Sequence, residues 1–112
     1  MRFTQSLRLN RDFKRAYTRG RSLAGLLLAV YVRPNRGGVN RLGLTVGSKL
    51  GGAVVRNRVR RRMREAYRRN EDGFATGFDV VLVARGRAVG ATFWELDREL
   101  RRLFGKLGLT RS

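Results

Sequence analysis

Residues 56–69 constrain the fold of this chain more than any other segment. They contain eight arginines and a single acid, Glu65. Like charges three or four residues apart destabilise an isolated helix, so a helix in this segment carries a cost in stability that a polyanion would offset. Apolar residues recur there at helical spacing, at Val55, Val59, Met63 and Ala66, with Tyr67 at the edge. The pattern predicts a long helix over residues 53–69 with one narrow buried stripe.

The side of this helix opposite the stripe carries no balancing charge. The positions that line up there are Asn57, Arg61, Arg64 and Arg68, and the remaining arginines flank them. An ordinary solvated helix face mixes both signs of charge. The whole chain is biased in the same way, with 26 Lys+Arg against 8 Asp+Glu and a formal net charge of +18. We therefore expect a polyanionic partner, although charge alone does not distinguish DNA from RNA.

Composition limits the size and the chemistry of the domain. The chain has 112 residues, 42% of them hydrophobic, which suits one compact domain with a core. It has no cysteine and no histidine, so disulfides, the usual zinc sites and Ser–His or Cys–His catalytic pairs are excluded. An independent protein-only nuclease is therefore disfavoured.

The sequence contains no obvious targeting or membrane-spanning segment. Residues 1–10 lack the apolar run of a secretory signal peptide. The longest apolar run, residues 23–32, is about half the length that spans a bilayer. The expected location is the cytoplasm.

Two further helices are predicted from their end signals and periodicity. Asn10 is a candidate cap for a helix over residues 11–19, with Gly20 as its end. Thr92 followed by Glu95 makes a capping box that opens the last helix. The apolar stripe of that last helix comprises Leu96, Leu100, Leu103, Phe104 and Leu107.

Strand patterns fill the segments between the helices. Residues 22–33 are typical of one bent strand or two short ones, ended by Pro34. Residues 42–46 alternate as a half-buried strand, and residues 78–84 form an apolar strand covered on both faces. The predicted order is α-β-β-β-α-β-α in a single α+β domain, without internal repeats or linkers.

Three aromatic residues are candidates for stacking on unpaired bases. Phe13 and Tyr17 lie on one face of the first helix, and Tyr31 lies on the first long strand. Ordinary core packing is the better explanation for Phe13, whereas a buried tyrosine hydroxyl needs a partner. The residues alone leave stacking and packing open.

Residues 42–68 closely resemble the signature of the bacterial ribonuclease P protein component. That family has a strand of the type (V/L)GL(T/S)VSKK, then GNAVxRNR, then (K/R)Rxx(K/R)E. Here the strand is followed by Gly51 and the triplet Arg56-Asn57-Arg58. The resemblance extends to Phe13, Tyr17, Gly20, Tyr31 and residues 78–85. The chain departs from the pattern at Gly47-Ser48-Lys49, where one lysine is missing, and at Gly52, where asparagine is usual.

The resemblance implies a fold and a function. The implied fold is an α/β sandwich with a four-stranded sheet, three helices and a left-handed βαβ crossover, against the usual right-handed rule. The implied function is the protein subunit of a ribonucleoprotein whose RNA subunit is the catalyst. That complex removes the 5′ leader of precursor tRNA and requires magnesium, whereas the protein alone binds no cofactor. DNA, membranes and small-molecule substrates are not expected as partners.

The resemblance also assigns roles to residues. The residues expected to bind the catalytic RNA are Arg56, Asn57, Arg58, Arg60, Arg61, Arg64 and Arg68. The residues expected to bind the single-stranded leader of precursor tRNA are Phe13, Tyr17, Ala29, Tyr31 and Lys49. No residue of this chain is expected to be catalytic, and metal ligands stay unassigned.

Other classes of protein share some of these features. A structural or ribosomal RNA-binding protein would have the same charge and size and is the main alternative. A DNA-binding protein could place the arginine helix in a major groove, but strands rather than a second helix flank it here. A membrane-surface helix would need a broader apolar face.

Overall fold

The computed structural model describes residues 1–111 of the chain. Within that range the helices are α1 (Asn10–Arg19), α2 (Ala53–Asn70) and α3 (Phe93–Lys106). The strands are β1 (Thr4–Ser6), β2 (Arg21–Ala24), β3 (Leu28–Pro34), β4 (Asn40–Thr45) and β5 (Phe78–Ala84). Short 3-10 turns lie at Ser48–Leu50, Glu71–Gly73 and Gly86–Ala88. The predicted order is confirmed from α1 onward, and one further strand precedes it.

The five strands form one mixed sheet in the order β1-β4-β5-β3-β2. Strand β4 runs parallel to β1 and β5, whereas β3 runs antiparallel to β5 and β2. Helix α2 joins the neighbouring parallel strands β4 and β5, so the predicted βαβ unit is present. Its hand stays a prediction.

The expectation of four strands is wrong because it omits β1. This strand has only three residues and no apolar alternation, so its sequence carries no strand signal. Contacts from remote residues hold it instead. The amides of Arg2 and Phe3 donate to the buried carboxylate of Glu71 at 3.0 and 3.2 Å. The hydroxyls of Thr4 and Tyr67 are 2.9 Å apart and share a hydrogen bond.

The predicted helix ends are partly corrected. Asn10 is the first residue of α1 rather than its cap, and Leu9 stands in the cap position without a side-chain hydrogen bond. The capping box of α3 is confirmed, because the amide of Glu95 donates to Thr92 Oγ1 at 3.2 Å and the amide of Thr92 donates to Glu95 Oε1 at 2.8 Å. Helix α3 stops at Lys106, so the last apolar residue of its stripe, Leu107, caps the helix instead.

Helices cover both faces of the sheet, which gives three layers. Successive residues of β5 point to opposite faces. Val80 and Leu82 join the larger core with α2 and α3, whereas Val81 joins a smaller core under α1. Val59, Met63 and Ala66 of the predicted apolar stripe of α2 are buried in the larger core, whereas Val55 is only partly buried. Tyr67 is wholly buried with them rather than at the edge.

Two glycines are expected to respond oppositely to alanine substitution. A Cβ on Gly20 would lie 2.5 Å from the Ala16 carbonyl oxygen and 2.7 Å from that of Val32, and these backbone atoms cannot move without shifting α1. Gly20→Ala should lower the free energy of unfolding by about 1–3 kcal/mol. Gly105 in α3 has open space around it, so Gly105→Ala should raise that free energy by roughly 0.5–1 kcal/mol.

Urea unfolding followed by circular dichroism measures both changes. Equal effects of the two substitutions would contradict the close approach of α1 to β3 at Gly20.

Candidate nucleic-acid interface

Helix α2 exposes guanidinium groups on the side opposite its buried stripe and on the adjacent flank, where Arg58 lies. Arg58, Arg61 and Arg64 are exposed, and none of them makes a side-chain hydrogen bond or ion pair with another residue of 1–111. Asn57 and Arg68 lie on the same side. We call the surface formed by Asn57, Arg58, Arg61, Arg64 and Arg68 the arginine face. Free guanidinium forks at this spacing suit bidentate contacts to phosphate groups.

Two of the eight arginines have a structural task that the charge run does not reveal. Arg62 Nη1 donates to the carbonyl oxygen of Ala91 at 2.8 Å. Arg69 Nη1 donates to both carboxylate oxygens of Asp97, at 3.2 and 3.1 Å. These arginines lie on the flank of α2 that faces α3, so they dock one helix on the other.

Arg56 and Arg60 lie beside the arginine face, whereas Arg68 belongs to it and is paired. Arg60 donates to the side-chain oxygen of Asn57 at 2.9 Å, and Arg68 donates to Glu65 at 3.2 and 2.8 Å. Arg56 is partly buried, and within residues 1–111 its Nε has no hydrogen-bond partner. Of the arginine residues predicted to bind RNA, the structure therefore leaves three wholly free and places Arg56 at the beginning of the helix.

The positive charge is concentrated at the surface because most acids are inside. Five of the eight carboxylates are buried, namely those of Asp12, Glu71, Asp79, Asp97 and Glu99. The hydrogen bond from Arg68 lowers the pKa of Glu65, an effect that burial opposes and the charge of Arg68 reinforces. Glu65 is therefore ionised at neutral pH and is the only acid in the helix, so the arginine face remains strongly positive.

On the opposite side of the sheet, α1 covers one row of residues and leaves the next one open. The covered row runs from Gly43 through Val81 to Tyr31. The Phe13 ring packs so closely there that a Cβ on Gly43 would lie 2.5 Å from it. The next row is Thr45, Val83, Ala29 and Ala24, one residue from each of β4, β5, β3 and β2. We call it the open row, since its small side chains are partly or fully exposed.

Tyr17 stands at the boundary between α1 and the open row. Its side chain is held by a hydrogen bond of 2.7 Å between its hydroxyl and Thr45 Oγ1. Its ring meets Tyr31 edge-to-face, with 4.9 Å between centroids. Tyr17 is 39% exposed, whereas Phe13 and Tyr31 are partly buried in the smaller core. Of the three aromatic residues, Tyr17 therefore offers the exposed ring.

Lys49 lies along the chain between the end of the open row and the beginning of the helix that carries the arginine face. Lys49 is exposed in the turn Ser48–Leu50, directly after β4. The chain then passes through Gly51, whose φ of 141° and close approach to Val55 require glycine. Gly52 has an extended backbone and open space, so the residue type usual in the family would fit there. The two surfaces are thus joined by a short corner between β4 and α2.

An ion-pair network under α1 fixes its position on the sheet. Arg41 donates to both carboxylate oxygens of Asp79 at 2.7 Å and to Asp12 of α1 at 3.4 Å. Asn35 also donates to Asp79, at 3.0 Å. The hydrogen bond to Asp79 raises the pKa of Arg41. Sequence reasoning missed this network and Thr45, because both depend on which residues of separate strands lie opposite one another.

The described residues also bear on metal binding and on membrane insertion. Within residues 1–111 no three or more acidic, histidine or cysteine residues form a group that could hold a metal ion. No helix in the described range is long and apolar enough to cross a membrane.

The fold and these surfaces define a three-layer α/β protein with a strongly basic helix α2. The family model described as Ribonuclease P matches residues 1–108. The ribonuclease P protein component of Alkaliphilus metalliredigens is 40% identical over 109 residues, which cover 97% of this chain and 98% of that protein. That of Thermoanaerobacter sp. is 42% identical over 98 residues, covering 88% of this chain and 84% of that protein.

Solved structures of the same family have the same fold. The RNase P protein of Staphylococcus aureus aligns with a TM-score of 0.86 and 28% identity, covering 99% of this chain and 100% of that one. The RNase P protein from Thermotoga maritima aligns with a TM-score of 0.83 and 34% identity, covering 91% and 96%. The chain belongs to the ribonuclease P protein family, which confirms the resemblance. This is a family of RNA-binding components of a tRNA-processing ribonucleoprotein nuclease.

Removal of Arg41 should loosen the packing of α1 on the sheet, and this would shift Tyr17 at the boundary of the open row. Arg41→Ala leaves the buried carboxylate of Asp79 without its main partner. We expect the free energy of unfolding to fall by about 2–3 kcal/mol. Arg33→Ala on β3 is the matched control, since Arg33 makes no side-chain ion pair within residues 1–111. Chemical denaturation of the two variants checks the prediction, and equal stabilities would refute it.

Proposed function

We propose that this chain is the protein subunit of a ribonuclease P, binding the catalytic RNA through the arginine face and the single-stranded leader of precursor tRNA along the open row. The observation that carries the proposal is that the short corner after β4, which carries Lys49, connects two different surfaces. One surface offers free guanidinium groups, and the other offers an exposed tyrosine beside small side chains. A polyanion that only coats the protein would need no such second surface.

The arginine face suits the phosphates of a folded RNA. Arg58, Arg61 and Arg64 have guanidinium groups free for phosphate contacts. Arg60 and Arg68 can exchange their present bonds to Asn57 and Glu65 for phosphates, because both pairs are at the surface. Arg56 lies in the first turn of the helix beside the corner, and because its Nε is buried, we assign the RNA contact to its terminal Nη groups. Contacts of this type position an RNA without reading its bases.

The open row suits one extended strand of RNA. Its small side chains allow a backbone to lie close to the sheet, and Tyr17 offers a ring on which a base can stack. Tyr31 and Phe13 support that ring from behind, Ala29 forms part of the floor, and Lys49 can pair with a phosphate at the corner. No array of buried donors and acceptors faces this row, so recognition is expected to tolerate many leader sequences.

In this mechanism the chain positions RNA and leaves bond cleavage to the RNA subunit. Magnesium supplies the activation of water for hydrolysis of the phosphodiester bond. We propose that the assembled ribonucleoprotein holds this ion, and its ligands stay unassigned. Holding the leader favours precursor over mature tRNA, since only the precursor has a leader to bind. We expect the reaction to take place in the cytoplasm. We also expect the β4-α2-β5 crossover to be left-handed, as the family resemblance implies.

The alternative is a structural RNA-binding protein without a role in cleavage. The same arginine face would serve it. A cleavage assay that varies the leader separates the two functions.

That assay follows cleavage of precursor tRNA by the ribonuclease P RNA at low magnesium, with and without the protein and with long and trimmed leaders. Stimulation that depends on leader length supports the proposal. Stimulation regardless of length would keep the subunit function and reject the leader site. No stimulation with intact RNA binding would favour the structural alternative.

Tyr17→Ala should weaken binding of leader-bearing tRNA by about 1–3 kcal/mol, the contribution of one stacked base, and leave mature tRNA almost unaffected. Tyr17→Phe is the matched control, because it keeps the ring and loses only the bond to Thr45. Fluorescence anisotropy with labelled tRNAs measures the affinities.

Phe13→Ala should weaken leader binding too, but it also removes core contacts, so its stability must be measured beside its affinity. An equal loss of affinity for both tRNAs would show that these aromatic residues only pack in the protein and do not bind the leader.

Affinity for the RNA subunit should fall steeply with salt. For roughly five or more phosphate contacts, the slope of log K against log salt concentration should be steeper than about −3. Arg61→Gln should reduce the size of that slope by about 1 without changing stability, since its guanidinium makes no contact within the described protein. Arg62→Gln, which loses the bond to Ala91, should instead lower stability. A slope near zero in the unmodified protein would exclude phosphate contacts.

A further inference from the structure

A tryptophan lies exposed beside the arginine face. Trp94 is the only tryptophan in the chain and is 59% exposed, although α3 buries a continuous apolar stripe on its other side. The Phe93 ring meets it edge-to-face, with 4.9 Å between centroids. The guanidinium carbon of Arg69 lies 4.9 Å from the centroid of the Trp94 ring. The ring is therefore held in place while most of it faces solvent.

The groups around Trp94 are mostly cationic, and the exposed carboxylate of the adjacent Glu95 is the acid beside them. Asp97 is fully buried and accepts hydrogen bonds from Arg69, from Asn70 at 2.7 Å and from Arg101 at 3.1 Å. The negative charge of Asp97 is thus compensated by these partners inside the protein, whereas the side chains of Arg69 and Arg101 remain about half exposed. Arg98, one helical turn after Trp94, is exposed and makes no side-chain ion pair within residues 1–111.

This patch is continuous with the arginine face. Arg62 and Arg69 lie on the flank of α2 that faces α3 and bond to Ala91 and Asp97, on either side of Trp94 in the sequence. Arg58 lies on the same flank, only about 20° around the helix from Arg69 at the ideal helical twist. A polyanion that contacts Arg58 therefore extends toward Trp94 at the seam between the two helices.

We propose that Trp94 is a stacking site for an unpaired nucleobase of the RNA that binds the arginine face, with Arg69 and Arg98 contacting the flanking phosphates. This inference rests on the proposed function and adds a second aromatic contact, on the opposite side of the sheet from Tyr17. Positive charge around the ring selects a nucleic acid over an apolar protein surface. An unpaired base in a loop, bulge or end is required because a duplex hides the faces of its bases.

The single tryptophan makes the proposal directly measurable, since all tryptophan emission comes from this site. The full chain is titrated at low salt with an adenine oligoribonucleotide of about ten nucleotides, a length within the range of single-strand sites. Inorganic polyphosphate of matched charge is the control that carries phosphates but no bases. We expect the oligonucleotide to quench the emission strongly and polyphosphate to leave it nearly unchanged. Equal responses would overturn the proposal.

Substitution tests the same contact in the complex with the ribonuclease P RNA. Trp94→Ala should weaken binding of that RNA by about 5- to 100-fold, the range for one lost stack. Leu9→Ala is the matched control, because Leu9 is 49% exposed and lies at the beginning of α1, on the face of the sheet opposite α2 and α3. It should not change the affinity. Thermal unfolding of both variants establishes that neither substitution disturbs the fold.

The outcomes distinguish this inference from the function on which it rests. If Arg61→Gln weakens RNA binding and Trp94→Ala does not, the stacking site is rejected and the proposed function stands. If the unmodified protein shows no salt-dependent RNA binding, the proposed function itself fails. If Trp94→Ala changes only the sedimentation of the free protein, the patch is a contact between copies of the chain and the proposal is overturned.

Discussion

Strand β5 is apolar on both faces, and the rest of the molecule is arranged to cover it. Val80 and Leu82 require one helical layer, and Val81 requires another. The layer formed by α1 is only ten residues long, so it covers one row of the sheet and leaves the adjacent row open. The layer formed by α2 and α3 covers its face completely, because the narrow stripe of α2 is supplemented by the wide stripe of α3. The open row and the outward arginines both result from this unequal covering.

The distribution of charge follows from the same packing. Buried carboxylates at Glu71, Asp79, Asp97 and Glu99 hold together elements that are remote in sequence, through backbone amides or arginines. Acids used inside cannot neutralise the surface. The excess of arginine is therefore greater at the surface than composition alone indicates, and a polyanionic partner relieves the repulsion that remains.

Individual residues mark how far the sequence predicts the site. Helical periodicity predicts the arginine side of α2, and it puts Phe13 and Tyr17 on one face of α1. The structure confirms where these residues lie. The bond from Tyr17 to Thr45, the clamp of Arg41 on Asp79 and the exposure of Trp94 were not predicted. Each depends on which element packs beside another, and no local pattern records that. The same reason explains the missed strand β1, whose partners are β4 and Glu71.

The sequence by itself determined the helices, the central strands and the chemistry of the exposed side of α2, because hydrophobic periodicity, capping and charge are properties of neighbouring residues. The departures at Gly47 and Gly52 were also visible there. Only the tertiary structure decided which arginines are free and which dock α2 on α3, which aromatic ring faces solvent and where the open row lies. Those properties arise from strand register and from the burial of residues far apart in the chain, so they exist only once the layers have packed.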